Sequence, residues 1–404
     1  MHPMVKPALR RAWRDMQSVQ FGVTPAHAVV LGPVDLTTGS LLGLLDGTRG
    51  MELLRAEAAA LGLPEGRLEE LIDRLAAAGL IADASVLPPG GAPAGADGRA
   101  DPELDPLRAD LASLSVVHRA PDGAARVLAA RRAIRVRVRG AGRVGAAVAA
   151  LLSAAGVGRV EVLDGGTVVP WEAAPGGLPA EAVGERREVA ARRLVGRSAP
   201  GGRLPRGTPG APGGPDDGSG EPGLSLVVVA PRDGLGAYVP DPLPAEAWLA
   251  AGTPHLYAGV LEATGVVGPL VLPGGTACAG CMQRERADRE HYWPRLPAQW
   301  RSGPPHALPA CDVTLAAAVA GLAAAHALAF LDGDLPASTG ARWEVSLPLL
   351  GWRSAPVRAH PACPCGAGRG AEGEHATAAG AVHDTMAGQV SRAARQSGTW
   401  RAHV

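Results

Sequence analysis

The chain is poor in aromatic residues. It has eight Trp, three Tyr and two Phe in 404 residues. Its core therefore has to be filled by Leu, Val and Ala, for which an apolar content of 47% suffices. Lysine is nearly absent: Lys6 stands alone among 39 basic residues, and the rest are Arg. Any chemistry that elsewhere uses a lysine at a fixed place must be served here by arginine. An excess of either charge is missing too, with 39 acidic residues against 39 basic ones. That excludes a general electrostatic grip on nucleic acid or an anionic membrane. Long apolar runs are also lacking. The longest, Leu315–Leu331, is mostly Ala and carries His326. It falls short of the roughly 20 strongly apolar residues of a membrane span, so it reads as a buried helix. The opening MHPMVKPALRRAWRDM has no apolar core of a secretory signal. The five cysteines fall as a pair, a single and a pair, which suits metal in a reducing cytoplasm better than disulfides.

Glycine (55) and proline (37) are abundant, and their clusters divide the chain. Residues 85–105 read as a Pro/Gly/Ala linker, 198–223 as an insertion unable to bury enough apolar surface to order, and 367–404 as a loose tail. The length predicts two or three domains.

Residues 1–84 predict a small α+β domain. SVQFGV and HAVVLG read as short strands. Leu41, Leu42, Leu44 and Leu45 lie on a short helix stopped at Asp46-Gly47, and Thr48 is placed to cap the next one. Leu68, Leu71, Ile72 and Leu75 then trace the apolar face of a third helix. Strands with three helices in this order suggest a winged helix-turn-helix. The third helix carries Glu65, Glu69, Glu70 and Asp73 against two Arg, which argues against DNA. The patterns LLGLLDGTRGMELL and LEELIDRLAAAGLI resemble the PqqD-like leader-peptide recognition domains of ribosomal peptide biosynthesis. That resemblance implies a leader peptide bound as an added strand.

The sharpest signal starts at Ile134. IRVRVRGAGRVGAAVAALLSAAGVGRVEVLDGG reads as strand, glycine turn, helix and strand. Gly140, Gly142 and Gly145 form G-x-G-x-x-G, with Arg143 inside it, and the following helix aims its N-terminal amides at an anion. Asp164 ends the second strand and is placed to accept from ribose hydroxyls.

The stretch AAGVGRVEVLDGGTVV, the helix VGERREVAARRL, the strand LSLVVVAP and the run GVVGPLVLPGGTACAGC together resemble the ThiF/MoeB family, relatives of ubiquitin-activating enzymes. The resemblance covers about 134–366. It implies a doubly wound, Rossmann-type α/β domain over 106–366 with a zinc lobe, Mg-ATP as cofactor and adenylation of a peptide terminus. The family's phosphate-binding Lys falls at Arg187. Two family groups are not found: the Arg after the Asp-ended strand, where WEAAPGGLPAE stands, and the Mg²⁺-binding Asp, for which VVVAPRDG offers only the displaced Asp233. Two readings follow, an adenylyltransferase with relocated groups or a degenerate scaffold that only presents the peptide.

Cys278-x-x-Cys281 and Cys363-Pro-Cys365 offer four thiolates for tetrahedral zinc. The narrow C-x-C pair leaves Cys311 or His360 as a substitute ligand. Cys311 stands where some members of the resembled family carry a sulfur- or acyl-accepting Cys, and Arg301 and His306 are its nearest cations in sequence. The expected partners are a peptide with its leader and a cyclodehydratase-type enzyme, with a homodimer as in the resembled family.

Overall fold

The computed structural model describes residues 1–85, 102–202, 223–302 and 308–368. Most of the linker 85–105, most of the insertion 198–223 and nearly all of the tail 367–404 lie outside the described residues. Two compact units divide the chain, Met1–Ala130 and Arg131–Val404.

The first unit opens with β1 (Pro3–Val5), followed by β2 (Arg11–Asp15), β3 (Ser18–Phe21) and β4 (Val29–Leu31). Three helices come next, α1 (Leu36–Leu44), α2 (Met51–Ala60) and α3 (Arg67–Ala77), then β5 (Ile81–Asp83), α4 (Arg108–Val117) and α5 (Gly123–Arg131). Strands β2, β3 and β4 form an antiparallel sheet, and β1 pairs separately with β5. The predicted face of α3 is buried: Leu68, Leu71, Ile72 and Leu75 pack with Leu41, Leu42, Leu54, Val19 and Phe21. The expected cap at Thr48 is not made. Asp46 takes both the amide and the hydroxyl of Thr48, and Gly50 begins α2 with no side-chain cap. Trp13, half-exposed on β2, lies over Gly39 of α1. Lys6 is buried, and its ammonium donates to the carbonyls of His118 and Arg119 just past the end of α4.

The second unit is built on β6 (Arg135–Arg139), α6 (Arg143–Ala154), β7 (Arg159–Leu163), α7 (Arg187–Ser198) and β8 (Leu226–Val229). It continues through α8 (Leu235–Tyr238), α9 (Glu246–Ala250), β9 (His255–Leu261) and β10 (Thr264–Val271). Then follow α10 (Ala279–Arg289), α11 (Arg295–Ser302), α12 (Val313–Leu331), β11 (Ala341–Ser346) and β12 (Arg353–Pro356). One mixed sheet runs in the order β12-β11-β10-β9-β8-β6-β7. Strands β7, β6, β8 and β9 are parallel, while β10, β11 and β12 extend the sheet antiparallel.

Strand alternation sorts the side chains between the two faces. Leu226, Val228, Leu256, Ala258 and Val260 join α6, α7 and α12 in the main core. Val227, Tyr257 and Val271 face the other way, toward Trp248 and the cysteine lobe. The arginines of β6 are not free charge: Glu161 on β7 meets Arg135 at 2.8 Å, Arg137 at 3.0 Å and Arg159 at 2.6 Å. Among the described residues, α12 is the one helix long and apolar enough to cross a membrane. Its Leu315, Val319, Ala323, Ala327 and Phe330 are buried in the sheet's core, as the sequence predicts for a buried helix. At its C-terminal end, Asp332 receives the buried fork of Arg131 at 2.8 and 2.6 Å.

Candidate nucleotide site and cysteine cluster

The glycine turn sits between β6 and α6. Gly140 has φ near +107°, and a Cβ there collides with the Ala230 carbonyl. A Cβ on Gly145 collides with the Gly140 carbonyl. Only glycine therefore lets the turn close between β6 and β8. The first amides of α6 have no intrahelical acceptor and carry the positive end of the helix dipole.

Asp164 lies across the turn, as its spacing predicts. Its Oδ2 accepts from the Ala141 amide at 2.7 Å, and its Oδ1 lies 3.6 Å from Arg187 and 3.4 Å from Arg232. Beside it a short turn at Pro170–Glu172 delivers Glu172, a residue the sequence reading did not single out. One Glu172 oxygen accepts from the Val169 amide at 3.1 Å and from Arg187 Nε and Nη2 at 3.1 and 2.9 Å. Its other oxygen lies 3.6 Å from Arg232.

Arg187, at the start of α7, is only 2% exposed. Its remaining donors go to the carbonyls of Gly165 and Thr167. The guanidinium is thus consumed by the protein's own groups. The cavity beside the turn, about 250 Å³, is lined by Gly142, Arg143, Trp171, Glu172, Arg232, Leu308, Pro309 and Cys311. Arg187 is not among them.

Cys311 and Arg143 meet in this cavity. Arg143 donates to the Cys311 carbonyl at 2.7 Å, while its Nε is shut off from solvent with no hydrogen-bond partner. The Cys311 thiol is pushed up by burial, and Arg143 opposes that shift. Of the cations nearest in sequence, Arg301 donates instead to the Val239 carbonyl at 3.0 Å, and His306 lies outside the described residues. The sequence separation of 168 residues hid the Arg143–Cys311 contact.

The residues here do not suit Mg²⁺, which asks for carboxylate or water oxygens in octahedral array. Glu172, the one carboxylate lining the cavity among the described residues, spends one oxygen on the Val169 amide and Arg187, and its other oxygen faces Arg232 at 3.6 Å. Asp233 is exposed and accepts from the Leu235 amide at 3.1 Å.

The second cluster suits its metal. Among the described residues, Cys278, Cys281, Cys363 and Cys365 form the one group of three or more His, Cys, Asp or Glu able to hold an ion, with all four sulfurs within 4.8 Å of one another. Neighbouring sulfurs lie 3.5–3.9 Å apart. A tetrahedral zinc with Zn–S bonds of about 2.3 Å requires about 3.8 Å. The Cys278 thiol donates to the Cys281 sulfur, which pushes Cys278 up and draws Cys281 down. The C-x-C pair needs no substitute ligand. His360 has both ring nitrogens occupied, by Asp288 at 2.9 Å and the Ala362 amide at 3.1 Å, and Cys311 belongs to the cavity.

A mixed sheet with a parallel core, a glycine turn, an acidic residue ending the next strand and a cysteine lobe defines a Rossmann-type α/β fold. The ThiF family model matches residues 120–204 and 240–365, more than half of the chain, and the chain belongs to the ThiF family. No protein of curated function matches it by sequence.

Among solved structures, the chain is similar to Escherichia coli MccB. With AMPCPP and MccA bound, MccB aligns at a TM-score of 0.64 and 15% identity, over 91% of this chain and 100% of MccB. With ATP bound it aligns at 0.63 and 15%, over 91% and 99%. The heterocyclase TruD aligns at 0.56 and 17% identity, over 91% of this chain and 43% of TruD. At these identities the likeness is one of fold.

Proposed function

We propose that this protein binds a ribosomally made precursor peptide and activates one of its carboxyl groups by adenylation at the glycine-turn cavity. The observation that carries this reading is the closed Gly140–Gly145 turn facing Asp164, with Arg143 and Arg232 lining the cavity beside it. MccB, whose fold the chain shares, has been solved with ATP and with MccA, which supports a nucleotide and a second substrate on this architecture. In the reaction a carboxylate oxygen attacks the α-phosphorus of ATP. A new O–P bond forms, the bond to the bridging oxygen breaks, and pyrophosphate leaves with that electron pair. Arg143 and Arg232 offset the charge on the departing phosphates, the part the resemblance implies for Arg187. Arg187 instead positions Glu172 and Asp164. Asp164 turns to the ribose. Cys311, in the same cavity, takes the activated acyl group as a thioester: its sulfur bonds to the acyl carbon, the carbon–oxygen bond to AMP breaks, and the thiol proton leaves with the released AMP.

The peptide enters through residues 1–84. Among the described residues no strand pairs with the outer edges of β2 and β4, which suits an added strand in the manner of a PqqD-like domain. Zinc on the four cysteines serves a structural role, because four thiolates leave no open position. A cyclodehydratase-type enzyme then acts on the presented peptide.

A second reading, a scaffold that binds peptide without chemistry, is favoured by the consumption of Arg187 and by the lack, among the described residues, of a carboxylate at the cavity suited to Mg²⁺. ATP–pyrophosphate exchange with the full-length protein and candidate peptides separates the two. Peptide-dependent exchange lost in Arg232→Gln establishes adenylation. Peptide binding without exchange establishes the scaffold.

A further inference from the structure

We infer that this site binds its nucleotide without Mg²⁺, using the guanidinium groups of Arg143 and Arg232 in place of the metal; the inference rests on the nucleotide-binding reading above. Among the described residues, Arg143, Arg232 and Glu172 are the charged side chains that line the cavity; Arg187 and Asp164 are ion-paired with them but do not line it. Arg187 is spent on its neighbours, donating to Glu172 and to the carbonyls of Gly165 and Thr167, with Asp164 3.6 Å away.

What is left over is positive. Arg232 is 48% exposed and reaches Asp164 and Glu172 only at 3.4 and 3.6 Å, too far for strong hydrogen bonds. It can swing to a phosphate at little cost. Arg143 lines the cavity and spends Nη1 on the Cys311 carbonyl at 2.7 Å, so Nη2 is the group left for a phosphate oxygen. Both flank Gly142, at whose amide end an anion is also favoured by α6.

Among the described residues, a divalent cation in this place meets two guanidinium groups, and the one carboxylate that lines the cavity, Glu172, already holds Arg187. Glu172 cannot turn to the metal without stranding the buried Arg187, and Asp233 is exposed and engaged at the start of α8. Planar guanidinium groups bind phosphate oxygens in pairs and remain charged at all working pH values, so they supply fixed positive charge that no chelator removes.

The test is calorimetric titration of the full-length protein, with its own zinc left in place. ATP is freed of divalent ions on a chelating resin and titrated with and without millimolar MgCl₂. The expected result is equal or tighter binding without Mg²⁺. Arg232→Gln should weaken binding about tenfold or more in both conditions. Its melting temperature should be unchanged, because the side chain is half-exposed. Binding that appears only with Mg²⁺ overturns the inference and leaves the nucleotide reading intact. Unchanged affinity in Arg232→Gln overturns the assignment of that residue. No binding in either condition overturns the nucleotide reading itself.

Discussion

Replacing Arg187 by Met is the most direct probe of how the site is built. The side chains of Arg187 and Glu172 are only 3% and 7% exposed, so their pairing takes place away from water. Removing the guanidinium strands the Glu172 carboxylate with the Val169 amide and a distant Arg232, and deprives the Gly165 and Thr167 carbonyls of donors. Breaking one side of a buried ion pair costs about 3–5 kcal/mol, most of it the penalty of the unpaired charge. For a unit of this size that is a fall in melting temperature of roughly 10 °C. Arg187→Met combined with Glu172→Gln removes the stranded charge and should recover about 2 kcal/mol. Urea unfolding followed by tryptophan fluorescence reads both variants, with Trp171 as a local reporter beside Glu172. A single variant within about 1 kcal/mol of the parent, or a double variant no better than the single, refutes the view that Arg187 is a buried clip.

Protein purified without chelator should carry about one zinc per chain, and Cys281→Ser should lose it together with stability in the second unit, because binding energy at such a site is folding energy. Metal analysis checks this, and parent protein without zinc refutes it. His255 is fully buried, and desolvation lowers its pKa from 6.5 to about 4. The folded state thus keeps it neutral while the unfolded state protonates near pH 6.5. Between those values the unfolded state holds more protons, so stability falls by about 3 kcal/mol as pH drops from about 6.5 to about 4. His255→Gln should flatten the stability curve over that window, and parallel curves for the two proteins refute the assignment.

Much of this protein was fixed by neighbours close in sequence. The Val alternation of β6, the three glycines and Asp164 lie within one βαβ unit, where spacing alone dictates that turn and carboxylate meet. The apolar face of α3 and the apolar run of α12 were set by composition and helical period, which decide burial wherever the helix docks. The cysteine pairs announced a metal by residue type, and ordering the sheet brought them together across 81 intervening residues.

Other features arose only when distant segments were folded onto one another. Glu172 is one acidic residue among many until the turn after β7 and the start of α7 place it on Arg187. Arg143 meets Cys311 only because α12 packs against α6. Arg232 faces the glycine turn only because β8 pairs with β6. A sequence records the charges and the local turns. Which guanidinium is spent on a buried carboxylate and which is left for a ligand depends on burial and on partners far along the chain, and only the packed sheet and helices decide both.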